Sequence, residues 1–316
     1  MRDRIRVGFR WFASPAVDEV PRGHALAASA LRVLLGLMWL HNLAWKRPPD
    51  FGERAFNDLF LFTSYAVSHP VFPPYAWVVE NAVLPNFPVF GWAVLATETA
   101  VAVLLLTGTF VRAAAALGVA MSTAIALSAA FAPHEWPWSY WLMIGAHVVI
   151  LFSSAGRVLC VDALRAGLSR GRTLAQVWGG LSVLVGLVTI VGSLNNPVAA
   201  RGFQVGSAQL SVSLGEYNAV GGLVLLLTGT LLLAAPHLGA VAGSRLAMAG
   251  AGLALIAAVS LYVQLGFSDP LLGGSATSAG FFLCLSVVAV AVAPRLSGVL
   301  NARHAPGPSS ARGSSR

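Results

Sequence analysis

Charged residues are scarce in this chain: Asp, Glu, Lys and Arg make up 10% of its 316 residues, whereas 57% are hydrophobic. A soluble domain carries about 25% charged residues, so a water-soluble fold of this size would lack the polar atoms to cover itself. Most of the surface must face lipid, which excludes the soluble globular classes. Cysteine is also sparse, with only Cys160 and Cys284. There is no CxxC pair and no Cys/His spacing of a zinc site, so a paired-thiol relay and a structural zinc centre lack their ligands. The two cysteines read as small buried hydrophobes. Lysine is nearly missing: nineteen of the twenty basic residues are Arg, a bias we attribute to codon usage.

The net charge of +8 does not point to nucleic acid as a partner, because the basic residues gather at the termini and in short loops. Charges placed there orient membrane spans. Apolar runs near 25–44, 89–109, 113–132, 139–156, 175–193, 219–235, 246–266 and 278–294 approach the roughly 20 residues a spanning helix needs. With the N-terminus inside, fifteen basic residues fall on the cytoplasmic side, Lys46, Arg47, Arg54 and Arg201 fall outside, and Arg32 lies within the first span. That asymmetry follows the positive-inside rule and supports an even number of spans. The first run follows Arg2, Arg4, Arg6 and Arg10 as a signal peptide would, but it exceeds the roughly 7–15 residues of a signal core and reads as a retained span. The expected fold is all-α: a polytopic helical protein of about eight transmembrane helices in a cell or inner membrane, with both termini cytoplasmic.

The chain divides into a basic cytoplasmic segment 1–24, a four-helix region 25–168, a second four-helix region 169–297 and a tail 298–316 of disordered composition. An external segment, 45–88, has apolar spacing that suggests a helix on or dipping into the interface. A second, 194–218, reads as irregular or a short strand-like excursion. Trp136, Trp138, Tyr140 and Trp141 sit where an aromatic belt belongs. The string Val-Leu-Leu-Leu-Thr-Gly-Thr occurs at Val103–Thr109 and again at Val224–Thr230, marking either a four-plus-four duplication or a low-complexity coincidence.

Ionisable groups inside lipid cost about 2.5–3.5 kcal/mol each at a helix centre, so each requires a reason. The first half holds three: Arg32, Glu98 and His147. From the cytoplasmic ends of their spans they lie roughly 12, 16 and 14 Å deep at 1.5 Å rise per residue, nearly one level. Arg32 and Glu98 are then placed to form a buried pair, with His147 exchanging protons with Glu98. The plainer alternatives are a pair that only fixes helix register and a histidine bonded to a backbone carbonyl. A second cluster, His41, Lys46, Arg47, His69, His134 and Glu135, lies towards the outer face. Its spacings match no metal-ligand pattern, so no metal is expected. Lys46 and Arg47, with His41 beside them, are candidates to hold an anion, or else snorkel at the interface. Asp162 is spaced to pair with Arg165 at i,i+3.

Leu31-Arg32…Gly36-Leu37…Trp45-Lys46, then Glu98 followed by Leu104-Leu105-Leu106-Thr107-Gly108 and Arg112, then Gly156-Arg157…Asp162-Ala163-Leu164 resemble in order and spacing the DoxX/DoxD-like family of small four-span membrane proteins. That family includes the membrane subunit of thiosulfate:quinone oxidoreductase. The resemblance covers residues 25–168 and implies a four-helix bundle passing electrons from a small donor, such as a sulfur oxyanion, to quinone as substrate. By position it points to Arg32, Lys46 and Glu98. Taken together with the buried set and the outer cluster read from the sequence, this makes Glu98, Arg32 and His147 the expected catalytic residues, and Lys46, Arg47 and His41 the expected substrate-binding residues. Beyond the bilayer, the expected partner is a soluble redox protein or a second copy of the chain. A proton-coupled small-solute transporter and a non-catalytic scaffold are the alternatives.

Overall fold

The computed structural model describes residues 10–169, 171–206 and 211–297. The tail 298–316, Arg170 and most of the basic N-terminal arginines lie outside the described residues. From residue 22 onward the main elements among the described residues follow in order: α1 (Arg22–Asn42), α2 (Asp58–Ser68), α3 (Pro73–Val78), α4 (Phe87–Thr107), α5 (Val111–Ala129), α6 (Pro137–Phe152), α7 (Val161–Arg165), α8 (Arg172–Gly192), β1 (Arg201–Gly206), β2 (Ser211–Tyr217), α9 (Ala219–Ala234), α10 (Ala240–Val263) and α11 (Ala276–Leu296). Among the described residues seven stretches are long and apolar enough to cross a membrane, and α6 is a shorter apolar helix. The chain is a helical, multi-pass membrane protein. We call the end at which α1 starts proximal and the end at which it stops distal.

The helices follow the apolar runs closely, with one displacement. The segment 45–88 is expected to lie outside the spans, with an interfacial helix of its own, yet from Pro73 helical structure runs directly into the next span and on to Thr107. Pro73 and Pro74 occupy the first helical positions, where a missing N–H costs nothing. Further on, Pro85 cannot donate to the carbonyl four residues back. The backbone passes through a π turn (Val79–Val83) and a 3-10 turn (Leu84–Asn86) instead of stopping. The second external segment is a strand-like excursion, an antiparallel hairpin with Arg201 opposite Tyr217 and Gly202 opposite Glu216.

Each half closes into a ring of four neighbours: α1, α4, α5 and α6 in the first, α8, α9, α10 and α11 in the second. Helix α11 also packs on α1 and α4. In its most apolar stretch 78% of residues are buried in protein, against 33–56% for the other candidate spans. Both of its ends are tied to the first half. Distally, Thr277 Oγ1 donates to the Leu40 carbonyl at 3.1 Å; proximally, Arg295 Nη2 donates to the Leu164 carbonyl at 2.5 Å. Nearer the distal end, Thr99 of α4 and Tyr262 in the last turn of α10 share a hydrogen bond of 2.7 Å.

The repeated heptapeptide has two different structures. In α4 it ends the helix: Gly108 takes a left-handed conformation (φ 67°), and Thr109 N–H donates to the Leu104 carbonyl at 2.9 Å. In α9 the same letters lie mid-helix. There a Cβ on Gly229 would come within 2.7 Å of the Gly179 carbonyl of α8, so the glycine serves close helix approach instead of a turn. The string alone therefore does not mark corresponding positions.

Gly108→Ala should lower the unfolding free energy in detergent by about 1–3 kcal/mol, through a strained φ and a collision with Cys160. Gly145→Ala, in open space on α6, should leave the thermal midpoint unchanged or slightly raised.

Candidate functional site

Arg32 is wholly buried at the proximal end and bonds only to backbone carbonyls. Nε donates to Ala155 O at 3.0 Å, Nη1 to Leu105 O and, at 3.0 Å, to Leu106 O, and Nη2 to Val158 O and Leu159 O at 3.3 and 3.4 Å. These are carbonyls of the last turn of α4, of which Leu105 O also accepts from the Gly108 amide at 3.2 Å, and of the turn after α6, and a helix C-terminus carries partial negative charge. The five N–H donors of a guanidinium suit this fan of acceptors. In the same turn Asp162 accepts from the Phe110 and Val111 amides at 3.1 and 3.0 Å, capping α5, and pairs with Arg165 at 2.7 Å. Cys160 is buried beside Arg32 and donates its thiol hydrogen to the Gly156 carbonyl. Burial raises the pKa of that thiol above its ordinary value, with the Arg32 charge opposing.

Glu98 does not meet Arg32. Its carboxylate lies 2.6 Å from Lys46 Nζ, the two side chains being 3% and 2% exposed. Nζ also donates to the Asn42 carbonyl at 2.8 Å and sits 3.9 Å from the Trp45 ring centroid. The ammonium thus faces a carboxylate, a carbonyl and an aromatic ring. The approach to Glu98 Oε2 lies off the hydrogen-bonding direction, so the contact is primarily one of charge. Burial lowers the Lys46 pKa from its ordinary value, and the Glu98 charge pulls it back.

His147 has a third, separate environment. Trp39 Nε1 donates to its Nε2 at 2.8 Å, which leaves Nδ1–H to donate to the Met143 carbonyl at 2.7 Å. Both ring nitrogens of a neutral imidazole are used, and the ring fills the space above Gly118, where a Cβ would collide with it. The expected Arg32–Glu98 pair and a shared cavity with His147 are therefore corrected. Depth along each span misled because the helix ends are not coplanar: Gly36, in the middle of α1, lies against Leu106 at the last turn of α4. Arg32 thus reaches the very end of α4, whereas Glu98 sits seven residues, roughly 10 Å, further along it.

What converges is the distal cluster. A cavity of about 490 Å³ opens between the α1–α2 connection and the second half, and His41, Lys46 and Arg47 all line it. Its opposite wall is Ser213 and Glu216 of β2, Phe267 after α10, and Gly274–Thr277 at the start of α11. Ser275 and Ser278 form a reciprocal capping box. Ala276 and Thr277, the first two residues of α11, have no carbonyl within the helix for their amides. Ser278 Oγ also donates to the Glu216 carbonyl at 2.7 Å and accepts from its amide at 3.0 Å, fixing the hairpin over the helix start. His69 and His134 are not among the lining residues, and among the described residues no group of three or more metal-ligating side chains occurs.

Sequence reasoning missed Glu216 and the start of α11. Glu216 is a lone acid in an external segment, and only the hairpin brings it opposite Arg47. No family model matches the chain, and neither a curated protein nor a solved structure does.

Replacing one member of the buried pair strands the other. Lys46→Met should cost about 3–5 kcal/mol of stability, while Lys46→Met with Glu98→Leu should recover most of that loss. A double-mutant cycle of thermal unfolding in detergent reads the coupling; additive losses would refute it.

Proposed function

We propose that the chain is an eight-span protein of a cell or inner membrane, with both termini cytoplasmic, whose outward-facing distal cavity binds a small solute carrying an anionic group. The eighth span is α6, whose 16 residues reach about 24 Å, with Trp136, Trp138 and Trp141 exposed at its distal end. The basic residues of the proximal connections supply the positive-inside bias. One observation carries the binding reading: Arg47, exposed and without an ion pair among the described residues, lines a cavity together with the first turn of α11. At about 490 Å³ the cavity falls within the range of small-molecule sites, about 300–1,000 Å³. Uptake of such a solute is the activity this arrangement supports best.

A quinone-linked oxidoreductase subunit is the second reading, favoured by the same cavity, which suits a sulfur oxyanion donor arriving from outside. It has to dispense with a common pocket for Arg32, Glu98 and His147, since each has its own partners.

The test is equilibrium binding of labelled sulfate, thiosulfate, acetate and 4-aminobutanoate to the purified protein in nanodiscs. At least one should bind saturably, and Arg47→Ala should weaken it tenfold or more. Saturable binding of none would overturn the proposal. Thiosulfate-dependent reduction of a short-chain quinone, set beside solute flux into proteoliposomes, separates the two readings. Reporter fusions at both termini should report cytoplasmic positions; an external terminus would refute the topology.

A further inference from the structure

We infer that the solute of the distal cavity is a zwitterion, its anionic group held by Arg47 at the start of α11 and its cationic group by Glu216 of β2. This rests on the cavity being a solute site, as proposed above, and adds which chemical class it selects.

The argument is a charge balance. Three lining residues carry a full charge, Lys46, Arg47 and Glu216, and the His41 side chain stands in the same lining. The Lys46 ammonium is already matched by Glu98 behind the wall, with its other hydrogens on the Asn42 carbonyl and the Trp45 ring. Of the three full charges, the two without an ion-pair partner among the described residues are one positive and one negative side chain, Arg47 and Glu216, both exposed. They line the same space, yet no ion pair within 4.0 Å joins them among the described residues. They are two separate poles, one from each half of the molecule.

A simple anion at Arg47 would meet the repulsion of Glu216, and a simple cation at Glu216 would meet that of Arg47. A solute with both charges satisfies both, and complementarity of this kind selects partners by penalising the wrong sign. The carboxylate end has two further donors in the amides of Ala276 and Thr277, at the positive end of a 21-residue helix. Between the poles the lining is mixed: Ser213 and Ser275 supply hydroxyls, while Leu265 and Phe267 supply apolar surface for a short carbon chain. Glu216 is a clean probe because the backbone, not its carboxylate, anchors its strand: its amide and carbonyl both bond Ser278 Oγ.

The experiment measures binding of glycine, β-alanine, 4-aminobutanoate and 5-aminopentanoate, each against the carboxylate of the same length without its amine. The full-length chain in nanodiscs is used as wild type and as Glu216→Gln, with thermal midpoints confirming that both are folded. At one or more lengths the amino acid should bind at least tenfold more tightly than its des-amino partner, and Glu216→Gln should remove that advantage while leaving the carboxylate's affinity unchanged or higher. Carboxylates that bind as well as the amino acids at every length, or an advantage that survives Glu216→Gln, would overturn the zwitterion and leave the anion site standing. Binding of neither series would remove the site itself.

Discussion

The Arg32 guanidinium, turned onto the spent carbonyls of two neighbouring segments, is the interaction on which the proximal end of the first bundle depends. A charge removed from water must be matched within the protein, and here the match comes from backbone dipoles, not from an acid. Because the acceptors belong to the end of α4 and to the turn 153–160, one side chain of α1 fixes where two other segments stop. Asp162 of α7, just after that turn, then starts α5, so three helix ends are set around a single buried cation. Gly108 is required at this point because any side chain there would occupy the place of Cys160 and crowd Arg32.

At the distal end the matching is ionic. Lys46 lies beyond α1 but turns back on its last carbonyls, and Glu98 meets it there. The two arrangements hold α1 against α4 at two levels. The expensive residues of the first four spans are thus consumed by architecture. The groups left over for a ligand lie at the edge of the apolar layer, where connections from both halves meet.

Much of the architecture was legible in the sequence, for a physical reason. Lipid demands long apolar helices, and seven of the expected runs coincide with candidate spans while the eighth coincides with the shorter α6. The exception, the helical continuation from Pro73 into α4, was hidden because prolines and aromatics read as loop when they in fact start and bend a helix. His41, Lys46 and Arg47 could be grouped from the sequence because seven consecutive residues at a helix exit stay together in any fold. Glu216 and Ser275 could not, since their place opposite Arg47 is made by tertiary packing. Residue counting within each span failed for Arg32 and Glu98 because it assumes helix ends in one plane, whereas α1 starts well before α4 ends. The heptapeptide shows the same limit from the other side: identical residues close one helix and pack the middle of another.

Helix α11 bears on how the molecule can move. It is fastened to the first half at the Leu40 carbonyl on one side of the bilayer and at the Leu164 carbonyl on the other, so rocking the two halves about a midplane hinge would break one tie or the other. Motion at the proposed site therefore falls to the lighter parts around the cavity mouth, the α1–α2 connection and the hairpin, shifting against a fixed helical frame.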